Sequence, residues 1–211
     1  MASSQEWKLS TGTARVFPAS DRGIVRPVVL AAKGGTGATD LTGFKGGIDH
    51  ASYSFLAKLH ERDYDLILLG YNDGNGRLAD QATAVSEVVQ RAISERSGDE
   101  QLIVGGIGRG ALAARYALAT MEMQRVHHET AAYFSYNGTT PSTEEERREL
   151  QKAGEWPARP MKLGLASADF ASELSVDPVN GPFDDAVAGA PNNGGSLITS
   201  ELGSWLLDHL R

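Results

Sequence analysis

Three titratable side chains stand at or just after the ends of predicted buried strands. Asp73 follows the second of these strands, Tyr136 closes the fourth, and Asp169 lies just past the fifth. Aspartate and tyrosine side chains can give or accept a proton when they are held against a reacting group. In an open α/β sheet, ligands bind beyond the carboxyl ends of the strands. The sequence therefore predicts proton transfer at that edge, with Asp169, Tyr136 and Asp73 as the catalytic candidates.

Apolar runs alternate with amphipathic segments along most of the chain. A hairpin is predicted first, because apolar and polar residues alternate over 6–17. Buried strands are predicted at 28–32, 65–70, 102–105, 131–136 and 161–166. Helices are predicted at 53–59, about 78–95, 111–119, 142 to about 153, and 202–210, and irregular segments at 38–50 and 167–195. This alternation predicts βαβ units and a mainly parallel sheet.

The third strand runs into the glycine-rich segment 105–110, which leads into a helix. Because glycine takes positive φ without steric cost, a very tight strand–turn–helix junction is predicted. The segment 106–111 also fits the dinucleotide-binding pattern G-x-G-x-x-G/A. That interpretation is disfavoured, because the next strand ends in Tyr136-Asn137 without the acid that would hold a ribose. A purely structural role accounts for Gly105 and Gly110.

Composition excludes several classes of function. The chain has 211 residues, a formal net charge of −7 and no cysteine. Its length suits one α/β domain, predicted to span 1–211. The negative charge disfavours a nucleic-acid partner, and the missing cysteine excludes disulfides, thiolate metal sites and a cysteine nucleophile. No residue spacing is typical of a metal site, no run spans a membrane and no signal peptide is visible. We therefore expect a cytoplasmic protein without metal, cofactor or membrane contact.

The segment 103–118 resembles the nucleophile-elbow region of lipases and esterases of the α/β-hydrolase superfamily. Those enzymes carry a serine in G-x-S-x-G at a strand-to-helix turn. Residues 27–35 and 64–74 resemble two of their core strands with the loops that follow, so the resemblance covers most of 27–166. It implies an α/β-hydrolase-like fold, with a doubly wound, mainly parallel sheet and a reduced cap at about 138–160.

The positions that match the serine and histidine of that family hold neither residue. Gly108 stands at the serine position and has no side chain that can attack a carbonyl. The family's histidine lies in the loop before the last helix, which here reads 192–196 Asn-Asn-Gly-Gly-Ser, with Asn193 at the matched position. Asp169 can fill the place of the family's acid. The histidines of the chain lie elsewhere, and we expect a surface or capping role for each.

Part of the family's carbonyl-binding machinery consists of backbone N–H groups, which do not depend on side chains. The resemblance implies such donors at Arg109 and at Lys33-Gly34, and the elbow helix favours negative charge at its N-terminus. We therefore expect one pocket, floored by Gly108, for a small apolar or carbonyl-bearing ligand. The residues expected to line it are Lys33, Gly34, Gly35, Tyr71, Ile107, Gly108, Arg109, Asn137 and Asn193.

Three functions are compatible with these features. The first is a non-hydrolytic enzyme of small-molecule biosynthesis, of the cyclase, lyase or isomerase type, which combines the oxyanion donors with one of the catalytic candidates. The second is a pseudohydrolase that binds a ligand or a partner without catalysis. The third is an esterase-like or lipase-like hydrolase that carries a serine-to-glycine change at Gly108. A homo-oligomer is compatible with each, because a partner subunit can cover a pocket whose cap is reduced.

Overall fold

The computed structural model describes residues 4–170, 175–177 and 179–210. The strands are β1 Gln5–Lys8, β2 Gly12–Phe17, β3 Pro27–Ala31, β4 Asp49–His50, β5 Tyr53–Ser54, β6 Asp65–Tyr71, β7 Leu102–Ile107, β8 Thr130–Tyr136, β9 Met161–Ser167 and β10 Asp185–Gly189. The helices are α1 Leu41–Ile48, α2 Phe55–His60, α3 Leu78–Glu95, α4 Arg109–Met123, α5 Glu144–Lys152 and α6 Ser200–His209.

Eight strands form one sheet in the order β1-β2-β6-β3-β7-β8-β9-β10, while β4 and β5 pair with each other. The β1–β2 hairpin is antiparallel, β2 is antiparallel to β6, and all other neighbours in the large sheet are parallel. Right-handed crossovers place α1 and α2 on one face and α3 and α4 on the other. Helix α6 contacts α2 and joins the first face. The predicted hairpin and the doubly wound, mainly parallel sheet are confirmed.

The central strands β3, β6 and β7 are buried along their whole length. This burial follows from their position, because parallel strands covered by helices on both faces have no solvated side. Strand β7 lies between β3 and β8 and is parallel to both, so the predicted central position of the glycine-rich junction is confirmed. Across the described residues, no helix has the length and apolar character that a bilayer crossing requires.

The prediction that 38–50 is irregular is wrong, because this segment contains α1. The helix begins after Asp40, whose carboxylate accepts a hydrogen bond from the Thr42 N–H. Its sequence, LTGFKGGI, is rich in glycine, which lowers helix propensity and hid the helix from sequence analysis. Tertiary packing stabilises it instead. A Cβ at Gly47 would lie 2.6 Å from Leu197 Cδ1, so the missing side chain is what permits this close contact.

The prediction that 167–195 is one long loop is also wrong, because the edge strand β10 lies within it. The strand reads Asp-Ala-Val-Ala-Gly and has Val187 as its single β-branched residue. Alanine, aspartate and glycine are depleted in strands, so the local sequence carries little strand signal. Parallel pairing with β9 over the full length of β10 defines the strand.

Candidate functional site

Strand β7 passes into helix α4 through a single residue, Gly108. The strand continues through the neighbouring glycines to Ile107, farther than predicted, so the turn is confined to Gly108. Its backbone angles are φ 55° and ψ −119°, and its N–H donates to the Tyr136 carbonyl at 2.9 Å. An L-residue is strained at such a φ. The serine of a G-x-S-x-G enzyme occupies a strained strand-to-helix turn of this kind.

Three of the four glycines of this junction, Gly106, Gly108 and Gly110, have different physical roles. A Cβ at Gly106 would lie 2.4 Å from the Gly110 carbonyl carbon, so the strand and the helix touch there. A Cβ at Gly110 would lie 2.4 Å from the carbonyl oxygens of both Ala31 and Ala32. At Gly108, by contrast, an added Cβ would meet nothing closer than 3.7 Å. Close packing therefore requires glycine at the two outer positions, whereas the middle position has room for a side chain.

A pocket of about 330 Å³ lies over Gly108. Its lining comes from the ends of β7 and β8 and from the loops that follow β3, β8 and β9, together with the loop before α6. The lining residues are Lys33, Ile107, Gly108, Arg109, Asn137, Thr139, Phe170, Asn192, Ser196 and Leu197. They include no histidine, aspartate or glutamate, and the described part of the chain contains no cluster of acids and histidines able to hold a metal.

Two backbone N–H groups beside this pocket are available to a ligand. Within the described residues, the N–H groups of Gly34 and Arg109 have no hydrogen-bond acceptor. Arg109 is the first residue of the 15-residue helix α4, where N–H groups have no partner inside the helix and the helix dipole favours negative charge. The two residues are adjacent, because a Cβ at Gly34 would lie 3.4 Å from Arg109 Cβ. Exposed Lys33 adds a positive charge at the rim.

The side chain of Arg109 is held by hydrogen bonds in a buried polar network. Its Nη2 donates to Glu146 Oε1 on α5 at 2.5 Å, and the two side chains are 18% and 10% exposed. Its Nε donates to Gln81 Oε1 at 2.9 Å, and Nη2 also donates to the Gly76 carbonyl at 3.2 Å. Arg109 therefore joins the elbow, the loop after β6 and the cap helix, and holds its own N–H in place.

We expect the anchoring of α5 to weaken in acid. Burial raises the pKa of Glu146, but hydrogen bonds from Arg109 and Ser142 outweigh burial and hold this pKa below its ordinary value of 4.5. A carboxylate whose folded-state pKa is lowered stabilises the fold above its unfolded pKa and loses that contribution as pH falls through the folded value. The urea midpoint should therefore fall as the pH is lowered from about 5.

The control for this pH prediction is the neighbouring exposed carboxylate, Glu145. Replacing Glu146 by glutamine should flatten the acid side of the plot of urea midpoint against pH. Glu145→Gln should give the same plot as the parent protein. Identical profiles for the two variants would contradict the prediction.

The structure places the three catalytic candidates outside the pocket lining. Tyr136 is fully buried, and its hydroxyl accepts a hydrogen bond from the Thr199 N–H at 3.0 Å. Asp169 is exposed, and its Oδ1 accepts from the Asn192 N–H at 2.9 Å. Asp73 is exposed and closes a local turn by accepting from the Asn75 N–H. Each side chain thus has a structural partner, and none borders the pocket over Gly108.

The remaining predicted residues divide into two groups. Lys33, Ile107, Gly108, Arg109 and Asn137 line the pocket as expected. The other four do not, for reasons that differ. Gly34 and Gly35 line a neighbouring cavity, and Tyr71 is buried on β6. Asn193 is exposed and follows Asn192, which lines the pocket over Gly108.

Five lining residues were missed by sequence analysis: Thr139, Phe170, Asn192, Ser196 and Leu197. All five lie in the loops after β8, after β9 and before α6, which converge only in three dimensions. The resemblance places the family's histidine loop before α6 and matches Asn193 to the histidine, whereas the neighbouring Asn192 is the one that lines the pocket. Asn192, not Asn193, holds the Asp169 carboxylate through its N–H and faces the pocket.

Two further cavities extend this pocket along the carboxyl ends of the strands. On the cap side, a groove of about 1030 Å³ shares Arg109, Thr139 and Phe170 with it and runs beneath α5. On the other side, a cavity of about 480 Å³ lies against the glycine-rich loop after β3 and shares Lys33 and Leu197 with it. Where the sequence predicts one pocket, the structure has three adjoining cavities.

No known family model matches the chain, and no curated protein matches its sequence. Solved structures do match its fold. Est1E from Butyrivibrio proteoclasticus is 12% identical, with 98% of each chain covered and a TM-score of 0.65. A lipase/esterase from Lactobacillus plantarum is 11% identical, with 98% of each chain covered and a TM-score of 0.60.

A third neighbour, the carboxylesterase Cest-2923 from Lactobacillus plantarum, is 13% identical and has a TM-score of 0.56. The alignment covers 100% of this chain and 96% of that one. Together with the strand order, these neighbours show that the chain has the α/β-hydrolase fold. The fold that the glycine-rich junction predicted is confirmed.

Proposed function

We propose that the protein binds a small molecule bearing a carbonyl or carboxylate group over Gly108, without hydrolysing esters through a serine nucleophile. The observation that carries this proposal is the composition of the pocket. Among the described residues, its lining offers Lys33 and the N–H of Arg109 to a ligand oxygen, but no histidine, aspartate or glutamate that could accept a proton.

This proposal corresponds to the pseudohydrolase among the three functions that the sequence permits. The non-hydrolytic enzyme has less support, because the catalytic candidates Asp73, Tyr136 and Asp169 each have a structural hydrogen bond and none of them lines the pocket, although Asn192, the partner of Asp169, does. A helix N-terminus and an adjacent free amide bind an anion or a polarised carbonyl without any titratable group. Binding therefore needs only what the pocket contains.

The pocket floor provides the test of binding. Gly108→Leu fills the space over the turn, and Gly108→Ala imposes the same backbone strain but leaves most of that space open. Calorimetric titration with hexanoate should show binding to the parent protein and to Gly108→Ala, and roughly 10-fold weaker binding or none to Gly108→Leu. Urea unfolding of both variants shows whether the fold is intact. Equal hexanoate affinity in the two variants would rule out the pocket as the binding site.

Loss of acyl-transfer chemistry is tested by covalent labelling. A fluorophosphonate probe should not label the protein stoichiometrically, and p-nitrophenyl butyrate should give no burst. Among the described lining residues the single serine is Ser196, so Ser196→Ala tests that site if labelling does occur. Stoichiometric labelling that this substitution abolishes would show that the protein is a hydrolase with a displaced nucleophile.

The esterase-like alternative is favoured by one observation, the room for a side chain at Gly108. It predicts that Gly108→Ser alone restores labelling and turnover of p-nitrophenyl butyrate. The binding proposal predicts that this variant stays inactive for lack of a base. Under the binding proposal, adding Asn192→His beside Asp169 should raise the rate above that of the single variant.

A further inference from the structure

Arg115 is a largely buried cation that forms no ion pair with any residue that the structure describes. It lies on α4 and is only 6% exposed. Its Nε donates to the Glu155 carbonyl at 2.6 Å, and its guanidinium stacks over Trp156 at 3.6 Å from the ring centre. Within the described residues, its two Nη atoms have no hydrogen-bond acceptor and no carboxylate forms an ion pair with it.

This arrangement is energetically unusual. A buried charge is expensive unless it is paired, and buried polar groups are nearly always hydrogen-bonded. Burial lowers the pKa of Arg115 to about 10, against small opposing effects of Tyr133 and Glu155. The Glu155 side chain is exposed and approaches Arg115 through its backbone. The Nη atoms of Arg115 are not among the fully buried polar atoms that lack a partner, so they face the cavity, where water or a ligand can accept from them.

These donors border a cavity of about 410 Å³ between α4 and the cap helix α5. Two arginines, Arg115 and Arg147, line the cavity. Arg147 also pairs with exposed Glu144, and the exposed side chain of Glu155 is the one carboxylate among the described lining residues. The rest is largely apolar, with the ring of Trp156, the side chain of Leu150 and two prolines. This cavity shares no described residue with the pocket over Gly108, but it shares Thr140, Pro141 and Arg147 with the groove beneath α5.

We propose that this cavity binds a small organic carboxylate with an apolar body, such as an aromatic acid. The carboxylate accepts two hydrogen bonds from the Nη atoms of Arg115, in the forked geometry that guanidinium and carboxylate groups share. Arg147 adds a second positive charge at the mouth. The apolar body lies against Trp156 and Leu150, which removes their surfaces from water.

Benzoate is the probe, and calorimetric titration of the full chain is the measurement. Arg115→Gln should bind benzoate roughly 10- to 100-fold more weakly, because charge-assisted hydrogen bonds are lost. Arg147→Gln is an exposed substitution that preserves the fold and should weaken binding about 2- to 5-fold. Arg148→Gln, on the same helix but outside the cavity, is the matched control and should leave benzoate affinity unchanged.

Each other outcome overturns the proposal. Absence of saturable benzoate binding shows that water satisfies the Nη donors, and equal effects of Arg147→Gln and Arg148→Gln show that the cavity is not the site. Loss of benzoate binding in Gly108→Leu places benzoate in the other pocket. Saturable binding of inorganic phosphate without benzoate binding excludes an organic carboxylate. If Arg115→Gln does not fold, the comparison of Arg147→Gln with Arg148→Gln is sufficient to show whether benzoate binds in this cavity.

Discussion

Gly110→Ala is expected to prevent folding or to lower the free energy of unfolding by about 3 kcal/mol or more. The added Cβ would lie 2.4 Å from the carbonyl oxygens of both Ala31 and Ala32, which belong to the backbone of β3 and the residue after it. Backbone atoms at the centre of a sheet cannot rotate aside as a flexible side chain can. Helix α4 would have to move away from β3, and its buried contacts would open.

Gly108→Ala is the matched control for this prediction. Its Cβ has ordinary contacts of 3.7 Å, so the only penalty is the positive φ of 55°, which costs about 1–2 kcal/mol. Urea unfolding followed by circular dichroism measures both variants. A Gly110→Ala variant as stable as Gly108→Ala would mean that the helix and the strand are farther apart than described.

Arg109→Met is expected to be the second most damaging single change, with a loss of roughly 2–3 kcal/mol of unfolding free energy. The substitution leaves the Glu146 carboxylate, which is 10% exposed, without its cation, and leaves the oxygens of Gln81 and Gly76 without their donor. Loss of one partner of a buried pair typically costs about 3–5 kcal/mol. The residual exposure of both side chains reduces that figure.

The exposed pair of Arg148 and Glu144 on the same helix is the control. Its side chains are 70% and 59% exposed, so Arg148→Gln should cost no more than about 0.5 kcal/mol. Amide hydrogen exchange gives a second measurement, because 144–152 should exchange faster in Arg109→Met than in Arg148→Gln. Equal stability and equal exchange in the two variants would show that Arg109 does not anchor the cap helix.

Much of the fold follows from local sequence. The continuous apolar runs of β3, β6 and β7 can be satisfied only by strands covered on both faces, and this requirement makes the sheet parallel and doubly wound. The clear helical spacing of α3 and the capping threonine of α5 likewise predict elements that the structure contains. These signals are strong because each element carries its own pattern.

Elements without such a pattern depend on their neighbours. Helix α1 contains glycines that disfavour a helix, and β10 contains residues that disfavour a strand, so both were predicted as irregular. The conformation of α1 depends on the packing of Leu197 against Gly47, and that of β10 on its hydrogen bonds to β9. Long-range contacts of this kind leave no trace in a window of local sequence.

The candidate site shows the same division. The local sequence is enough to predict that Gly108 stands at a strand-to-helix turn without a nucleophile, because four glycines and a strand followed by a helix are local features. The packing of distant segments is needed to show that Asn192 rather than Asn193 lines the pocket, and that Arg109 bonds to Glu146. The same packing buries Arg115, for which the described residues provide no anion. The reason is physical: side-chain partners and pocket walls come from loops far apart in sequence, and the packed sheet alone brings them together.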